Sequence, residues 1–216
     1  MKNKFISAED AASMVKDGMT VMIGGFMAVG SPHSIIAKMV EKGVKDLTII
    51  CNDTAFPDKG IGLLVANKQV KRVITSHIGT NPCTIEQFNN KEISIEFNPQ
   101  GTLAERIRSA GAGLGGFLTP TGIGTVVEEG KQKINIDGRD YLLEKPLHAD
   151  IALLGASISD TIGNLVYKGS SQNFNPVMAT AADIVIAEAE EVVEVGEIIP
   201  ENVHTQSVFV THIVKK

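Results

Sequence analysis

The fold predicted for this chain rests on one segment, Asp17-Gly18-Met19-Thr20-Val21-Met22-Ile23-Gly24-Gly25-Phe26-Met27-Ala28-Val29-Gly30-Ser31-Pro32. After the Asp-Gly turn pair, the short apolar run at 19–23 is typical of a strand buried on both faces of a parallel sheet. Two glycines end this strand. Ser31 is predicted to cap a helix that has Pro32 at its first position and ends at Gly43. This order predicts free backbone N–H groups at the carboxyl end of a strand, where open α/β sheets bind ligands.

Short apolar segments alternate with helical patterns along the rest of the chain, which favours a parallel sheet. The predicted strands are 47–50, 72–76, 93–97, 150–156 and 183–187, with 207–214 as an edge strand. The predicted helices begin with a capping box at Ser7, at Asp58, at Asn81-Pro82 and at Asn175-Pro176, with a further helix at 102–109. Two apolar runs around Asp137-Gly138, within 131–143, indicate a hairpin that decorates the main sheet. The sequence therefore predicts one α/β domain over residues 1–216, an open and mostly parallel sheet flanked by helices, with an added β-hairpin.

Charge and hydropathy exclude several classes of function. The net charge is −5 and no basic run is present, which argues against nucleic acid as a partner. The apolar runs are too short to span a bilayer, and the N-terminus lacks the long apolar core of a signal peptide. Cys51 and Cys83 have neither metal-site nor redox-motif spacing, so we expect reduced thiols. A cytoplasmic protein is the expectation.

Familiar catalytic motifs are missing from the sequence. It contains no nucleophile elbow, no zinc-protease helix motif and no phosphate-binding P-loop sequence. The glycines at 111–116 match a dinucleotide-binding spacing, but they follow a predicted helix instead of a strand, so we predict a loop near a ligand or subunit interface. Glu105 and Arg106 are expected to form a surface ion pair. No metal site is predicted, and the histidines are expected to be structural or surface residues: His33, His77, His148, His204 and His212.

Gln100 is the most informative polar residue. It stands between Pro99, which restricts its backbone, and Gly101, which allows a close backbone approach. An amide held there can donate a hydrogen bond to a developing oxyanion. The alternative is that Gln100 only satisfies backbone groups at the start of the following helix. A second polar segment, residues 168–174, is suited to holding an acid substrate, a pantetheine amide or another subunit.

The segment at 17–32 resembles the signature of the alpha subunit of family I, or 3-oxoacid, CoA-transferases. That signature has an Asp-Gly or Asn-Gly pair, two free positions, three apolar residues, Gly-Gly-Phe, three free positions, Gly, one free position and Pro. This chain fills every fixed place. The resemblance continues through Asn52-Asp53-Thr54-Ala55-Phe56, the run from Asn98 to Arg108, Thr119-Pro120-Thr121-Gly122 and Asn173-Phe174-Asn175.

The resemblance implies specific roles for these residues. Gln100 would stabilise the oxyanion beside the reacting thioester, and Asn52, Asn173 and Phe174 would contact the substrate. No cofactor is implied, because coenzyme A thioesters are themselves the substrates. The implied coenzyme A-binding residues form the glycine loop: Gly24, Gly25, Phe26, Met27, Ala28, Val29 and Gly30.

The resemblance also implies a partner. Two-chain members of this family carry the nucleophilic glutamate on a beta subunit, in a Ser-Glu-Asn-Gly-like segment that this chain lacks. Glu129 and Glu194, the latter in a predicted acidic helical tail, lack the flanking residues of that nucleophile. We therefore expect half of an enzyme, which forms a heterodimer, an α2β2 or an α4β4 complex with a homologous beta subunit. It is expected to act on acyl-CoA and short-chain acids such as acetate, acetoacetate or butyrate.

Three other functions stay open from the sequence. The first is one subunit of a succinyl-CoA:3-oxoacid CoA-transferase, which shares most of these motifs. A sugar-phosphate isomerase would have a similar fold, but it needs cationic phosphate clamps, and residues 24–32 carry no lysine or arginine. The third is a non-enzymatic protein that binds acyl-CoA or acts as a scaffold.

Overall fold

A computed structural model describes residues 4–216, whose main sheet has eight strands. They are β1 (Thr20–Ile23), β2 (Leu47–Ile50), β3 (Val70–Thr75), β4 (Ser94–Phe97), β8 (Ala149–Asp160), β9 (Leu165–Val166), β10 (Ala182–Val193) and β11 (His212–Lys215). Seven of them lie in the order β11-β10-β8-β1-β2-β3-β4, with every neighbouring pair parallel. The eighth, β9, pairs antiparallel with β8.

Helices cover both faces of this sheet. They are α1 (Ala8–Met14), α2 (His33–Lys42), α3 (Gly62–Ala66), α4 (Pro82–Asn89), α5 (Gln100–Gly111) and α6 (Asn175–Met178). Successive side chains of a strand point to opposite faces. Val21 and Ile23 of β1 accordingly join one buried cluster with α1, α2 and α3, whereas Met22 joins the other with α5 and α6. The predicted fold class is thus confirmed.

Several predicted helix ends are confirmed. Ser7 Oγ accepts a hydrogen bond from the amide of Asp10 at 3.0 Å and forms the capping box of α1. Asn81 caps α4 through the amide of Thr84 at 3.2 Å. Gly43 ends α2 in the left-handed conformation with φ of 69°. In each case the local sequence alone determines the helix end.

The predicted start of α2 is wrong. The helix begins at His33, and the hydroxyl of Ser31 donates to the carbonyl of Gly24 at 3.0 Å instead of capping the helix. The carboxylate of Glu188, a buried residue of β10, accepts hydrogen bonds from the amides of Ser34 and Ile35 at 2.9 and 3.0 Å. A residue distant in sequence therefore caps this helix.

Asp58 does not begin α3. It lies in a tight turn closed by hydrogen bonding between Phe56 and Lys59, and the helix starts only at Gly62. A Cβ at Gly62 would overlap the carbonyl of Phe56, so the chain turns sharply against itself before the helix can begin.

The hairpin around Asp137 is present, but it does not join the main sheet. Its strands are β6 (Lys133–Ile136) and β7 (Arg139–Glu144), and a third strand, β5 (Phe117–Thr119), comes from a segment not predicted as a strand. Together they form a separate antiparallel sheet in the order β5-β7-β6. Pairing with β5 takes up an edge of the hairpin.

The C-terminal half also differs from its predicted boundaries. Strands β8 and β10 extend well past 156 and 187, and Glu194 follows β10 directly instead of lying in a helix. β11 does occupy the sheet edge, but the residues before it, 206–210, form turns. Among residues 4–216, no helix has the length and hydropathy needed to cross a membrane.

Candidate active site

A cleft of about 390 Å³ lies where β1, β2, β3 and β4 reach their carboxyl ends. Ligands of open α/β sheets bind outside this edge, because loops from neighbouring strands meet there. The residues that line the cleft are Phe26, Met27, Asn52, Asp53, Ser76, His77, Thr80, Asn98, Pro99 and Gln100. The cleft therefore brings together four residues predicted for the site: Phe26, Met27, Asn52 and Gln100.

The glycine loop presents an apolar tip. Phe26 and Val29 exchange two backbone hydrogen bonds of 3.0 and 2.9 Å, and the two residues between them have positive φ, 49° for Met27 and 69° for Ala28. This is a type I′ turn, which usually uses glycine or asparagine at both central positions. Non-glycine residues held in this conformation store roughly 1 kcal/mol or more of strain each. The turn leaves the side chains of Phe26, Met27 and Val29 partly exposed, at 42%, 38% and 48%.

The prediction that this loop offers free backbone N–H groups is wrong for most of it. The amide of Gly24 donates to Leu153 O at 2.9 Å, and that of Gly25 donates to Asn173 Oδ1 at 3.0 Å. The amide of Met27 donates to the carboxylate of Asp53 at 3.0 Å, and those of Phe26 and Val29 bond each other's carbonyls. Apolar side chains, more than backbone donors, face outward from the loop.

Asn175 packs directly behind the loop and explains why Gly24 has no side chain. Its buried amide accepts from Gly155 N at 3.2 Å and donates to Gly30 O at 3.0 Å and Ser171 O at 2.8 Å. A Cβ on Gly24 would overlap Asn175 Oδ1 and lie 2.6 Å from its Cγ. Glycine is required here for close packing.

Asn173 and Phe174 lie behind the loop and not in the cleft. The amide of Asn173 donates to Val29 O at 3.1 Å while its oxygen accepts from Gly25 N, so the side chain clamps the glycine loop. The ring of Phe174 is buried in the same cluster as Met178. Substrate contact by these two residues stays a prediction, and the structure does not place them with Gln100.

Gln100 is the first residue of α5. Its Nε2 donates to Asn52 Oδ1 at 2.7 Å, and Asn52 Nδ2 donates to Asp53 Oδ2 at 2.9 Å. The contact found for the Gln100 amide is thus with another side chain of the cleft, not with the backbone of α5. Gly101 has open space where a Cβ would be, so close backbone approach does not require glycine within this chain.

The predicted surface ion pair of Glu105 and Arg106 is wrong. Arg106 is largely buried, and its guanidinium bonds Glu96 and donates to Asn98 Oδ1 at 2.6 Å. Burial works to raise the pKa of Glu96, but the hydrogen bonds and charge of Arg106, with help from Arg72, outweigh it and lower that pKa. Arg106 therefore holds Asn98 at the cleft wall through a charged network.

Four residues of the cleft were not expected there. His77 was expected to be structural, and Ser76, Thr80 and Asn98 were not singled out. A signal was available, because Ser76 and His77 close the predicted strand 72–76 and Asn98 follows the strand 93–97. Since parallel strands end at one edge of a sheet, polar residues just after each strand converge there.

The sequence profile of the family described as Coenzyme A transferase matches residues 5–216. This chain belongs to the coenzyme A transferase family. It is 53% identical to the alpha chain of the acetate CoA-transferase of Escherichia coli K12 over 214 residues, covering 99% of this chain and 97% of that one. It is 51% identical to the alpha chain of the acetoacetyl-CoA:acetate/butyrate CoA transferase of Clostridium acetobutylicum, covering 100% and 99%. The predicted family is confirmed, and the chain is a CoA-transferase subunit of the alpha type.

A more distant relative is one chain of a probable succinyl-CoA:3-ketoacid coenzyme A transferase of Bacillus subtilis. It is 46% identical, covering 96% of this chain and 87% of that one. The names of these relatives imply a second kind of subunit. The family match leaves the isomerase and scaffold alternatives without support.

Solved structures with this fold include two CoA-transferases. An acyl-CoA transferase from E. coli O157:H7, in a thioester complex with CoA, superposes with a TM-score of 0.89 at 22% identity. This chain is covered completely but spans only 47% of that longer chain. The glutaconate CoA-transferase of Acidaminococcus fermentans has a TM-score of 0.85 at 19% identity, covering 98% of this chain and 75% of that one. Both structures confirm the open α/β fold.

Proposed function

We propose that this chain is the alpha subunit of an enzyme that moves CoA between a short-chain acyl-CoA and a monocarboxylate of the acetate, acetoacetate and butyrate group. The observation that carries the proposal is the lining of the cleft, which combines apolar side chains with neutral amides and hydroxyls. None of the described residues that line it is a lysine or an arginine. A dicarboxylate such as succinate would bring a second charge into this cleft without a fixed cation to pair with it, which is unfavourable.

The proposed role of Gln100 is to donate a hydrogen bond to the oxyanion that develops at the thioester carbonyl. One of its two Nε2 hydrogens bonds Asn52, so the other is available to a ligand in the cleft. The hydrogen bond to Asn52 holds the amide in place before substrate arrives. Donors that are positioned in advance are worth about 10²–10³ in kcat in acyl-transfer enzymes.

The nucleophilic glutamate is proposed to come from a homologous beta subunit, in a heterodimer or a larger assembly. Among the described residues of the cleft, the one carboxylate is Asp53, and it already accepts hydrogen bonds from Met27, Ala55 and Asn52. Glu129 and Glu194 do not line the cleft. Attack by the partner's carboxylate on the thioester carbon would form an acyl-glutamyl anhydride and release the CoA thiolate. That thiolate would then convert the anhydride to an enzyme-CoA thioester.

We further propose that the enzyme works in the cytoplasm without a resident cofactor or metal ion. Both bonds that change are carbonyl–sulfur and carbonyl–oxygen bonds, and a carboxylate, a thiolate and a preorganised oxyanion donor suffice for this exchange.

The test is a substrate panel. The chain is co-produced with the beta-type subunit encoded beside it, and kcat/KM is measured for acetate, butyrate, acetoacetate and succinate with a matched acyl-CoA donor. The best monocarboxylate should exceed succinate by about tenfold or more, the size of effect that one unfavourable pocket interaction gives. A complex that prefers succinate would overturn the proposed substrate class, and a complex that transfers no CoA would overturn the proposed function.

A further inference from the structure

Asp53 lies at the centre of the cleft's hydrogen bonding. Its carboxylate is 3% exposed and accepts from Met27 N at 3.0 and 3.2 Å, Ala55 N at 2.7 Å and Asn52 Nδ2 at 2.9 Å. Through Asn52 it is connected to Gln100. One buried side chain therefore touches both the apolar turn and the amide pair.

The chemistry of a carboxylate fixes the direction of this chain of hydrogen bonds. An ionised carboxylate only accepts, so the amide of Asn52 must turn its Nδ2 toward Asp53. Asn52 Oδ1 then faces Gln100 and can only accept, so Gln100 must present Nε2 there. The orientation of an amide is determined by such networks, since its oxygen and nitrogen have nearly the same shape. Asp53 thereby determines where the donor of Gln100 sits.

From this arrangement we infer that Asp53 is a positioning residue for the transfer reaction, and that it acts through Asn52 to hold the Nε2 donor of Gln100 in place. This inference rests on the proposed role of Gln100. Replacing Asp53 by asparagine removes the acceptor-only group, so Asn52 and Gln100 are free to turn over. Exchange of Oε1 and Nε2 moves the donor by about 2 Å. A misplacement of about 1 Å in an active site can cost about a hundredfold in rate.

Asp53 also holds the amide of Met27, so Asp53→Asn alone cannot separate positioning of Gln100 from loss of the turn. Asn52→Ala makes that separation, because it breaks the link to Gln100 while Asp53 keeps the amides of Met27 and Ala55. The backbone carbonyl of Asn52, which accepts from Thr75 and Ser76, is unaffected by the substitution.

The experiment is a double-mutant cycle in the assembled complex. Wild type, Gln100→Ala, Asp53→Asn, Asn52→Ala and the two double variants with Gln100→Ala are compared by kcat and KM. Asp53→Asn and Asn52→Ala should each lower kcat by about 10–100-fold with KM changed by less than about threefold. In the Gln100→Ala background each should lower kcat by less than about threefold, because the donor they position is already gone.

Matched controls are Asp183→Asn and Asn67→Ala, exposed residues outside the cleft, which should retain wild-type kcat. Losses that multiply in the double variants would show a merely structural role for Asp53 and overturn the inference, with the proposed function intact. If Gln100→Ala itself keeps full kcat, both the oxyanion role and this inference fail. If Asp53→Asn does not assemble, the Asn52→Ala cycle gives the decision by the same criteria.

Discussion

Replacing Gly24 by alanine tests the packing that shapes the glycine loop. The added methyl group would overlap Asn175 Oδ1 and lie 2.6 Å from Cγ and 3.2 Å from Nδ2, so the buried amide must move. Asn175 makes three hydrogen bonds, to Gly155, Gly30 and Ser171. At about 1 kcal/mol each, their loss would destabilise the fold by about 3 kcal/mol. Overpacking of a core site gives a similar range, roughly 1–3 kcal/mol.

The assay is thermal and urea denaturation of the purified chain. For a domain of this size, about 3 kcal/mol corresponds to a fall in Tm of roughly 6–12 °C. Gly101→Ala is the matched control, since a Cβ there meets open space in a helix, and it should be neutral or stabilising by up to about 1 kcal/mol. The double variant Gly24→Ala/Asn175→Ala should lose less than the sum of the single variants, because the colliding amide is gone.

A Gly24→Ala variant that melts within about 1 °C of wild type would refute this reasoning. Strict additivity of the two substitutions would refute it as well, because two groups that collide must show a coupling energy.

Other contacts in the structure give three more predictions. Gln100→Ala in the assembled enzyme should lower kcat and kcat/KM together by about 10²–10³, measured by steady-state transfer, and a loss below about threefold would return Gln100 to a structural role. Glu188→Gln should destabilise the chain by about 2 kcal/mol in urea denaturation, because the carboxylate caps α2, whereas the exposed Glu190→Gln should stay within about 0.5 kcal/mol; equal effects would contradict the cap. The lowered pKa of Glu96 means that its ion pair with Arg106 stabilises the fold fully above the unfolded value of 4.5 and less as pH falls through the folded value. The stability gap between wild type and Glu96→Gln, followed by urea denaturation from about pH 7 to about pH 3, should therefore close on the acid side, and a constant gap would contradict this assignment.

The sequence was sufficient for the fold class because the relevant signals are local. Apolar runs bounded by turns identified β1 and β2, and the alternation of strands with helices identified a parallel sheet. Helix ends determined by neighbouring residues, such as the Ser7 capping box and the left-handed Gly43, were also predicted correctly. The motif at 17–32 supplied the family.

What the sequence did not reveal depends on contacts between distant segments. Ser31 was predicted as a cap, but the amides of α2 are capped by Glu188 of β10, a partner that only the strand order brings near. The predicted free donors of the glycine loop are occupied by Asn173 and Asp53 for the same reason. Local patterns give an element's existence, whereas the partners of its polar groups come from topology.

The cleft shows the same division. Gln100 could be singled out from its Pro-Gln-Gly context, but its bond to Asn52 requires that β2 and α5 meet at one edge of the sheet. His77 gave no spacing signal with the other histidines, because its neighbours in the cleft are amides and hydroxyls from other loops.

The central claim is that this chain shapes half of an active site and that a partner subunit provides the nucleophile. The direct measurement is to incubate this chain, the beta-type partner and their mixture with acyl-CoA, and then to search the digested peptides by mass spectrometry for glutamate linked to CoA. The account predicts the adduct only in the mixture and only on the partner's peptides, because a carboxylate must be held close to the thioester carbon to react. A CoA adduct on Glu129, Glu194 or any other residue of this chain would contradict it.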